Sequence, residues 1–121
     1  MQMPTVRRGD VYHIYFGSRK GHEQEGLRSA IVVQADLYCE LSILWVIPTS
    51  SSVRGDIDFH VPVTIQGQHT FALIEQLTTV DKERRIRANR YLDHLSQAEM
   101  EEIDRMMRIF AGLDPDLGVH F

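Results

Sequence analysis

The stretches Arg28-Ser-Ala-Ile-Val-Val33 and Ile43-Leu-Trp-Val-Ile-Pro-Thr49 decide the fold. Each contains a short apolar run, Ser29–Val33 and Ile43–Ile47, whose length and β-branched composition predict a strand buried on both faces. Pro48 cannot donate a hydrogen bond to a sheet, so we expect it to end the second strand. A cation opens the first run and a hydroxyl group follows the second, which gives both strands a polar end.

Three further segments have strand-like patterns. We expect strands over Gly9–Phe16, Phe59–Ile65 and Thr70–Leu77, in addition to the two apolar runs. Pro62 makes the strand that contains it an edge strand. Gln66-Gly67-Gln68 is the expected turn into the last strand, where Phe71, Leu73 and Leu77 are predicted to face the core.

The C-terminal helix is the clearest local prediction. Ser96 and Glu99 fit a capping box, Leu95 and Met100 fit a hydrophobic staple across the cap, and Gly112 is the expected stop. The apolar residues that recur at helical spacing are Met100, Ile103, Met107 and Phe110. Strands followed by a helix, without βαβ alternation, predict a small antiparallel barrel or half-barrel with a packed helix.

Composition restricts the class of protein. A chain of 121 residues predicts one domain over residues 1–121, and 43% hydrophobic with 25% charged residues is ordinary for a folded domain. We recognise no signal peptide and no apolar run of about 20 residues, so we expect a cytoplasmic protein without a membrane partner. Cys39, the lone cysteine, is expected to be a small buried apolar residue.

Charge and histidine spacing exclude some functions. The net charge of −4 argues against a uniformly basic nucleic-acid binder. A local basic segment exists, with Lys82, Arg84, Arg85, Arg87 and Arg90 close together. The six histidines lack metal-ligand spacing, so we expect no metal and no cofactor and give none of them a catalytic role. They are His13, His22, His60, His69, His94 and His120.

Five short motifs occur in order along the chain. They are Arg8-Gly9-Asp10-Val11-Tyr12, Glu23-Gln24-Glu25-Gly26-Leu27-Arg28, Pro48-Thr49-Ser50-Ser51, Glu75-Gln76 through Asp81-Lys82-Glu83-Arg84, and Ala111-Gly112-Leu113. In this order and spacing they resemble the MazF/PemK (Kid) family of toxin endoribonucleases from bacterial type II toxin–antitoxin pairs. The resemblance implies a mainly β, SH3-like antiparallel β-barrel with a C-terminal α-helix (CcdB/MazF-like). It also implies a homodimer, an antitoxin partner and metal-independent cleavage of single-stranded RNA, chiefly mRNA, at a short sequence.

The resemblance also implies which residues act. The family's catalytic arginine falls on Arg28, and its catalytic threonine or serine falls on Thr49. The family usually has proline directly after this arginine, where this chain has Ser29. A guanidinium binds two phosphate oxygens and stays protonated, so we expect Arg28 and Thr49 to stabilise a phosphate attacked by the substrate's own 2′-hydroxyl. Glu23 is our candidate general base.

Two polar loops, residues 17–27 and 50–58, are expected to contact RNA, because single-stranded RNA is recognised through its splayed bases. The predicted RNA-binding residues are Arg19, Lys20, Gln24, Arg54 and Gln76. Solvated loop charge explains the three cations equally well, and Gln76 could instead orient a loop. Asp81 is expected to cap a turn.

Two other functions stay open for the same fold. One is inhibition of DNA gyrase in the manner of CcdB, and the other is a catalytically silent binding module. The Arg28 and Thr49 pair and the Glu75-Gln76 segment favour RNA cleavage over gyrase inhibition, whereas Ser29 in place of proline keeps the silent module open. An antitoxin partner would be expected to lay an acidic, partly disordered tail across the RNA groove.

Overall fold

Seven antiparallel strands and a long C-terminal helix dominate the structure, a computed structural model that describes residues 5–17, 26–53 and 55–114. The strands are β1 (Asp10–Tyr15), β2 (Leu27–Val32), β3 (Ile43–Ser50), β4 (His60–Ile65), β5 (Gln68–Leu73), β6 (Thr78–Asp81) and β7 (Tyr91–His94). The α-helices are α1 (Lys82–Arg85) and α2 (Gln97–Phe110). Short 3₁₀ turns occupy Asp36–Glu40, Ile74–Gln76 and Ala88–Arg90.

The long strand β3 gives the sheet its curl. The strand order is β4-β5-β3-β2-β1-β7, and β6 also pairs with β3. The first half of β3, Ile43 to Val46, pairs with β6, whereas Thr49 and Ser50 pair with β5. A strand that changes partner along its length turns a corner between two sheets. The predicted antiparallel half-barrel with a packed C-terminal helix is therefore confirmed.

Pro48 does not end its strand, so that prediction was wrong. β3 continues through Pro48 to Ser50. On one side Pro48 pairs with Ala30 of β2, and on the other it lies between the last β6 pair, at Val46, and the first β5 pair, at Thr49. Sheets tolerate a missing amide donor where pairing is interrupted. Thr49 consequently lies within a strand. Its position is fixed by pairing with Ala72 of β5 on one side and by contacts with Ser29 of β2 on the other.

The β4–β5 hairpin confirms the edge strand and corrects the strand after it. Pro62 lies in β4, at the end of the strand order. Gln66 and Gly67 form the turn with φ angles of 50° and 78°, the left-handed values that a two-residue hairpin turn requires. β5 ends at Leu73 and not at Leu77, because a 3₁₀ turn follows and the chain starts β6. Leu77 is exposed, contrary to its predicted place in the core.

Both predicted ends of α2 are confirmed. The Ser96 hydroxyl accepts a hydrogen bond from the amide of Glu99 at 3.1 Å, and the Glu99 carboxylate accepts one from the amide of Ser96 at 2.9 Å. The helix ends at Phe110, and Gly112 follows with a φ of 76°. The buried face of α2 consists of Met100, Ile103 and Met106, while Met107 is half-buried and Phe110 is exposed.

Alternating side chains of β1, β2 and β3 enter two different cores. The core between the sheet and α2 contains Val11, Ile31, Ile47, Met100, Ile103 and Met106 among others. The second core contains Tyr12, Ile14, Ala30, Val32, Leu44, Val46, Cys39 and Ile86 among others. Cys39 is buried as predicted. Asp81 accepts a hydrogen bond from the amide of Arg84 at 3.0 Å, which confirms its capping role at α1.

The Arg8-Gly9-Asp10 motif is structural. The Asp10 carboxylate is buried, accepts a hydrogen bond from the amide of Arg7 at 2.8 Å and lies 2.8 Å from Nδ1 of His94. The guanidinium of Arg8 donates to the carbonyl oxygen of Val33 at 2.9 Å and pairs with Asp104 of α2. These contacts attach the start of β1 to β7, to the end of β2 and to the helix.

Candidate functional site

An open concavity of about 510 Å³ lies where the ends of β2 and β3 meet. Many of the described residues that line it have side chains able to form hydrogen bonds or transfer protons. They include His13, Arg28, Ser29, Thr49, Ser50 and His69. They come from β1, β2, β3 and β5. Several strands therefore bring polar groups to one end of the half-barrel, while their apolar residues remain in the cores.

The structure brings Arg28 and Thr49 to this concavity. Arg28 is the second residue of β2 and Thr49 is the last but one of β3. The antiparallel register pairs Ala30 with Pro48, so the two polar residues lie at the same end of the strand pair. Because side chains alternate along a strand, those of Arg28 and Thr49 leave opposite faces of the sheet. Both residues nevertheless line the concavity. The concavity therefore opens at the strand ends and not over one face of the sheet.

Ser29 is the immediate partner of Thr49. One step beyond the Ala30–Pro48 pair, the register places these two residues opposite each other, and their hydroxyl groups are hydrogen-bonded. The Thr49 hydroxyl also lies 3.4 Å from the carbonyl oxygen of Ser29. Thr49 is only 4% exposed, whereas Ser29 is half-buried. Ser29 thus holds the candidate catalytic hydroxyl in place.

His13 extends this pair into a row of three residues. It lies on β1 directly opposite Ser29 of β2, which in turn lies opposite Thr49 of β3. A second imidazole, that of His69 on β5, lies on the concavity with its Nδ1 3.4 Å from the hydroxyl of Thr64. Sequence reasoning missed both histidines as members of the site. Their place at the concavity depends on how the strands pair, which no short sequence motif reveals.

The remaining predicted site residues lie elsewhere. Gln76 ends the 3₁₀ turn before β6 and is not among the residues that line the concavity. Its neighbour Glu75 is hydrogen-bonded to the buried His60, with 2.8 Å between Oε2 and Nε2. The other predicted residues lie outside the described part of the chain: Arg19, Lys20, Glu23, Gln24 and Arg54.

Asp93 of β7 fixes one wall of the concavity. Its carboxylate accepts hydrogen bonds from the amides of Gln66 and His94, both at 2.8 Å. Both backbone hydrogen bonds hold the pKa of Asp93 below its usual value, and the one from Gln66 has the larger effect. Gln66 belongs to the β4–β5 turn and lines the concavity. The carboxylate therefore ties the turn of the edge hairpin to the opposite end of the sheet.

A second surface is mainly apolar, with charged residues at Arg8, Glu75, Asp104 and Arg108. A cavity of about 640 Å³ is lined by Trp45, Leu77, Met107, Phe110 and Leu113 among others. A neighbouring cavity of about 490 Å³ shares Trp45 and Met107 and adds Tyr38, Leu41 and Ile43. Trp45 is 49% exposed and Phe110 is 52% exposed. We call this region the Trp45 surface, and it shares no lining residue with the concavity.

Within residues 5–17, 26–53 and 55–114, no group of three or more His, Cys, Asp or Glu side chains is arranged to hold a metal ion. In the same part of the chain, no helix is both long and apolar enough to span a bilayer.

Comparisons with known proteins agree with the fold and with the motifs. The sequence matches the family described as PemK-like, MazF-like toxin of type II toxin–antitoxin system over residues 7–111. Endoribonuclease MazF of Staphylococcus epidermidis is 30% identical over 115 residues, which cover 90% of this chain and 93% of that protein. The crystal structure of MazF from Deinococcus radiodurans gives a TM-score of 0.77 at 21% identity and covers 90% and 98% of the two chains. An endoribonuclease in complex with its cognate antitoxin, from a mycobacterial species, gives 0.74 at 17% identity and covers 89% and 96%.

Proposed function

This chain belongs to the PemK-like, MazF-like family of toxins of type II toxin–antitoxin systems, and we propose that its concavity cleaves single-stranded RNA. Members of the family are RNA-cleaving endoribonucleases. One observation carries the proposal for this site. Arg28 and Thr49, the two residues on which the family's catalytic positions fall, come from different strands and line the same concavity. Both residues therefore border one opening, as a reaction at a single phosphate requires.

The proposed reaction uses the substrate's 2′-hydroxyl as the nucleophile. The 2′-oxygen attacks the adjacent phosphorus, and the bond from phosphorus to the 5′-oxygen breaks. Arg28 stabilises the negative charge on the five-coordinate phosphorus, because its guanidinium remains protonated and donates to two oxygens at once. Thr49 donates a hydrogen bond to a non-bridging oxygen. The products are a 2′,3′-cyclic phosphate and a 5′-hydroxyl, and the route needs no metal or cofactor.

Sequence preference in this proposal comes from the loops beside the concavity. The segments 17–27 and 50–58 flank Arg28 and Thr49 in the chain, so bases splayed next to the scissile phosphate would meet them. A net charge of −4 predicts weak non-specific attraction to RNA. Recognition of bases therefore contributes more to binding than general attraction to the backbone does.

Two protein partners follow from the same proposal. We assign the Trp45 surface to a homodimer, because neighbouring exposed apolar residues such as Trp45 and Phe110 are typical of protein–protein contacts. A structural neighbour was solved with its cognate antitoxin, which supports an antitoxin partner here. An acidic antitoxin tail over the concavity would block it against RNA. We place this activity in the cytoplasm, where mRNA is translated.

Replacement of Arg28 tests the proposal. We expect R28A to abolish cleavage of a single-stranded RNA of mixed sequence while its circular dichroism spectrum stays that of the wild type. R90A removes the same charge from an exposed position outside the concavity and is the matched control, expected to cleave normally. Cleavage by R28A at the wild-type rate would refute the assignment of the site.

A further inference from the structure

His13 lies in the candidate site, yet neither the motifs nor the proposed roles use it. The register of β1 and β2 pairs His13 with Ser29, and Ser29 is hydrogen-bonded to Thr49. All three residues line the same concavity as Arg28. An imidazole, two hydroxyl groups and a guanidinium are therefore grouped at the ends of adjacent strands.

The spacing of this row suits a nucleotide. Neighbouring strands lie about 4.8 Å apart, so the backbone of His13 is roughly 10 Å from that of Thr49 across two strand spacings. The hydroxyl pair of Ser29 and Thr49 occupies the middle and the far end of the row. The row is therefore long enough to hold a phosphate at the hydroxyl pair and the attached ribose beside His13.

The ring of His13 is available for proton transfer. Among the described residues, His13 has no hydrogen-bond partner and is half-buried. Other histidines are engaged: Nε2 of His60 lies 2.8 Å from Glu75, and Nδ1 of His94 lies 2.8 Å from Asp10. An imidazole that lines a concavity without a structural partner can accept a proton from a bound substrate.

We propose that His13 is the catalytic residue that accepts the proton of the 2′-hydroxyl, a role that rests on the proposed RNA cleavage. As the ring takes this proton, the 2′-oxygen bonds to phosphorus and the bond to the 5′-oxygen breaks with its electron pair on oxygen. Water protonates the leaving oxygen, and His13 then returns its proton to solvent. Atoms and charges balance with water and the substrate alone.

Other titratable groups could compete with His13 for this proton. Within the described residues, Arg28 and His69 share the concavity with His13. Arg28 stays protonated and cannot accept the proton. His69 is the competing imidazole and Glu23 the competing carboxylate. Histidine changes its charge between about pH 5 and 8, whereas carboxylates ordinarily titrate below this range, so a pH profile separates the two kinds of base.

Single-turnover cleavage measured across pH 5–9 tests the role. A general base works when it is neutral, so the wild-type rate should fall on the acid side as the imidazole becomes protonated. We expect H13N and H13Q to lower the cleavage rate about 100-fold, with little change in RNA affinity, and to lose this acid limb. Added imidazole should partly restore the rate of H13A. Thermal melting of each variant shows that it is folded.

The outcomes separate this inference from the function on which it depends. If the wild type cleaves RNA, R28A does not, and H13N keeps both the wild-type rate and the acid limb, the role of His13 is refuted and RNA cleavage at Arg28 stands. Loss of the acid limb in H69N or E23Q, with the limb retained in H13N, also refutes it. If the wild type cleaves no RNA, the proposed function fails together with this inference.

Discussion

Thr49 shows how much of the site depends on single side chains. Its hydroxyl is nearly buried, hydrogen-bonded to Ser29 and directed by a strand that pairs on both sides. A hydroxyl held in this way loses little freedom when it donates to a phosphate oxygen, which is the condition for strong electrostatic stabilisation. Ser29 therefore positions the proposed reacting hydroxyl through a direct hydrogen bond.

A threonine-to-valine change isolates the contribution of this hydroxyl. T49V keeps the shape of the side chain, and we expect it to lower the cleavage rate about 100-fold while RNA affinity changes little. T79V makes the same change on an exposed position of β6 and serves as the control. Rapid-quench measurements of both variants check the prediction, and a T49V enzyme of normal rate would contradict it.

Candidate residues could be selected from the sequence where the signal was local. Arg28 and Thr49 stand in short motifs that resemble a family, and the structure places both on one concavity, while their catalytic roles stay a prediction. Ser29 appeared in the sequence only as a departure from proline, and its contact with Thr49 depends on a register between β2 and β3. His13 was missed for the same reason, since cross-strand neighbours are far apart in the chain.

Elements were predictable when their stabilising contacts lie within a few residues. α2 was found with both of its ends, because Ser96, Glu99 and Gly112 act locally. β6 and β7 were missed, since each has only four residues and forms by pairing with a strand distant in sequence. Continuation of β3 past Pro48 likewise depends on where two partner strands stop and start.

Asp93 joins two elements and makes their stability depend on pH. Its folded-state pKa is lowered, so the ionised carboxylate stabilises the fold above the usual aspartate value of about 4, and this contribution is lost as pH falls below that value. We expect D93N to lower the free energy of unfolding by about 1 kcal/mol at pH 7. At pH 2 the wild type and D93N should have similar stability.

Urea denaturation at a series of pH values measures this effect. The difference between the wild type and D93N should shrink as the pH falls below about 4. A constant difference across the whole pH range would show that the charge of Asp93 does not support the β4–β5 turn.

The whole molecule separates two surfaces of different chemistry. The concavity is polar and lies at the strand ends, while the Trp45 surface is apolar and combines β3, the 3₁₀ turn at Ile74–Gln76 and α2. Since they share no lining residue, the proposed dimer through the Trp45 surface would not use the residues of the proposed RNA site.

Light scattering coupled to size exclusion tests the dimer. We expect the wild type at micromolar concentration to have twice the chain mass of 14.0 kDa. W45E should shift to the monomer mass, because a buried charge without a partner opposes association. Y15E places the same charge on another exposed aromatic residue, outside the Trp45 surface, and should remain dimeric. A monomeric wild type would contradict the assignment.

Chemical analysis of the RNA fragment ends tests the central claim most directly, namely that this concavity breaks RNA through the substrate's own 2′-hydroxyl. The purified protein is incubated with single-stranded RNA, and the new ends are identified by mass spectrometry. We predict a 2′,3′-cyclic phosphate and a 5′-hydroxyl, and no cleavage of an oligonucleotide with a single 2′-deoxyribose at the scissile position. Fragments that carry a 3′-hydroxyl and a 5′-phosphate would contradict the account.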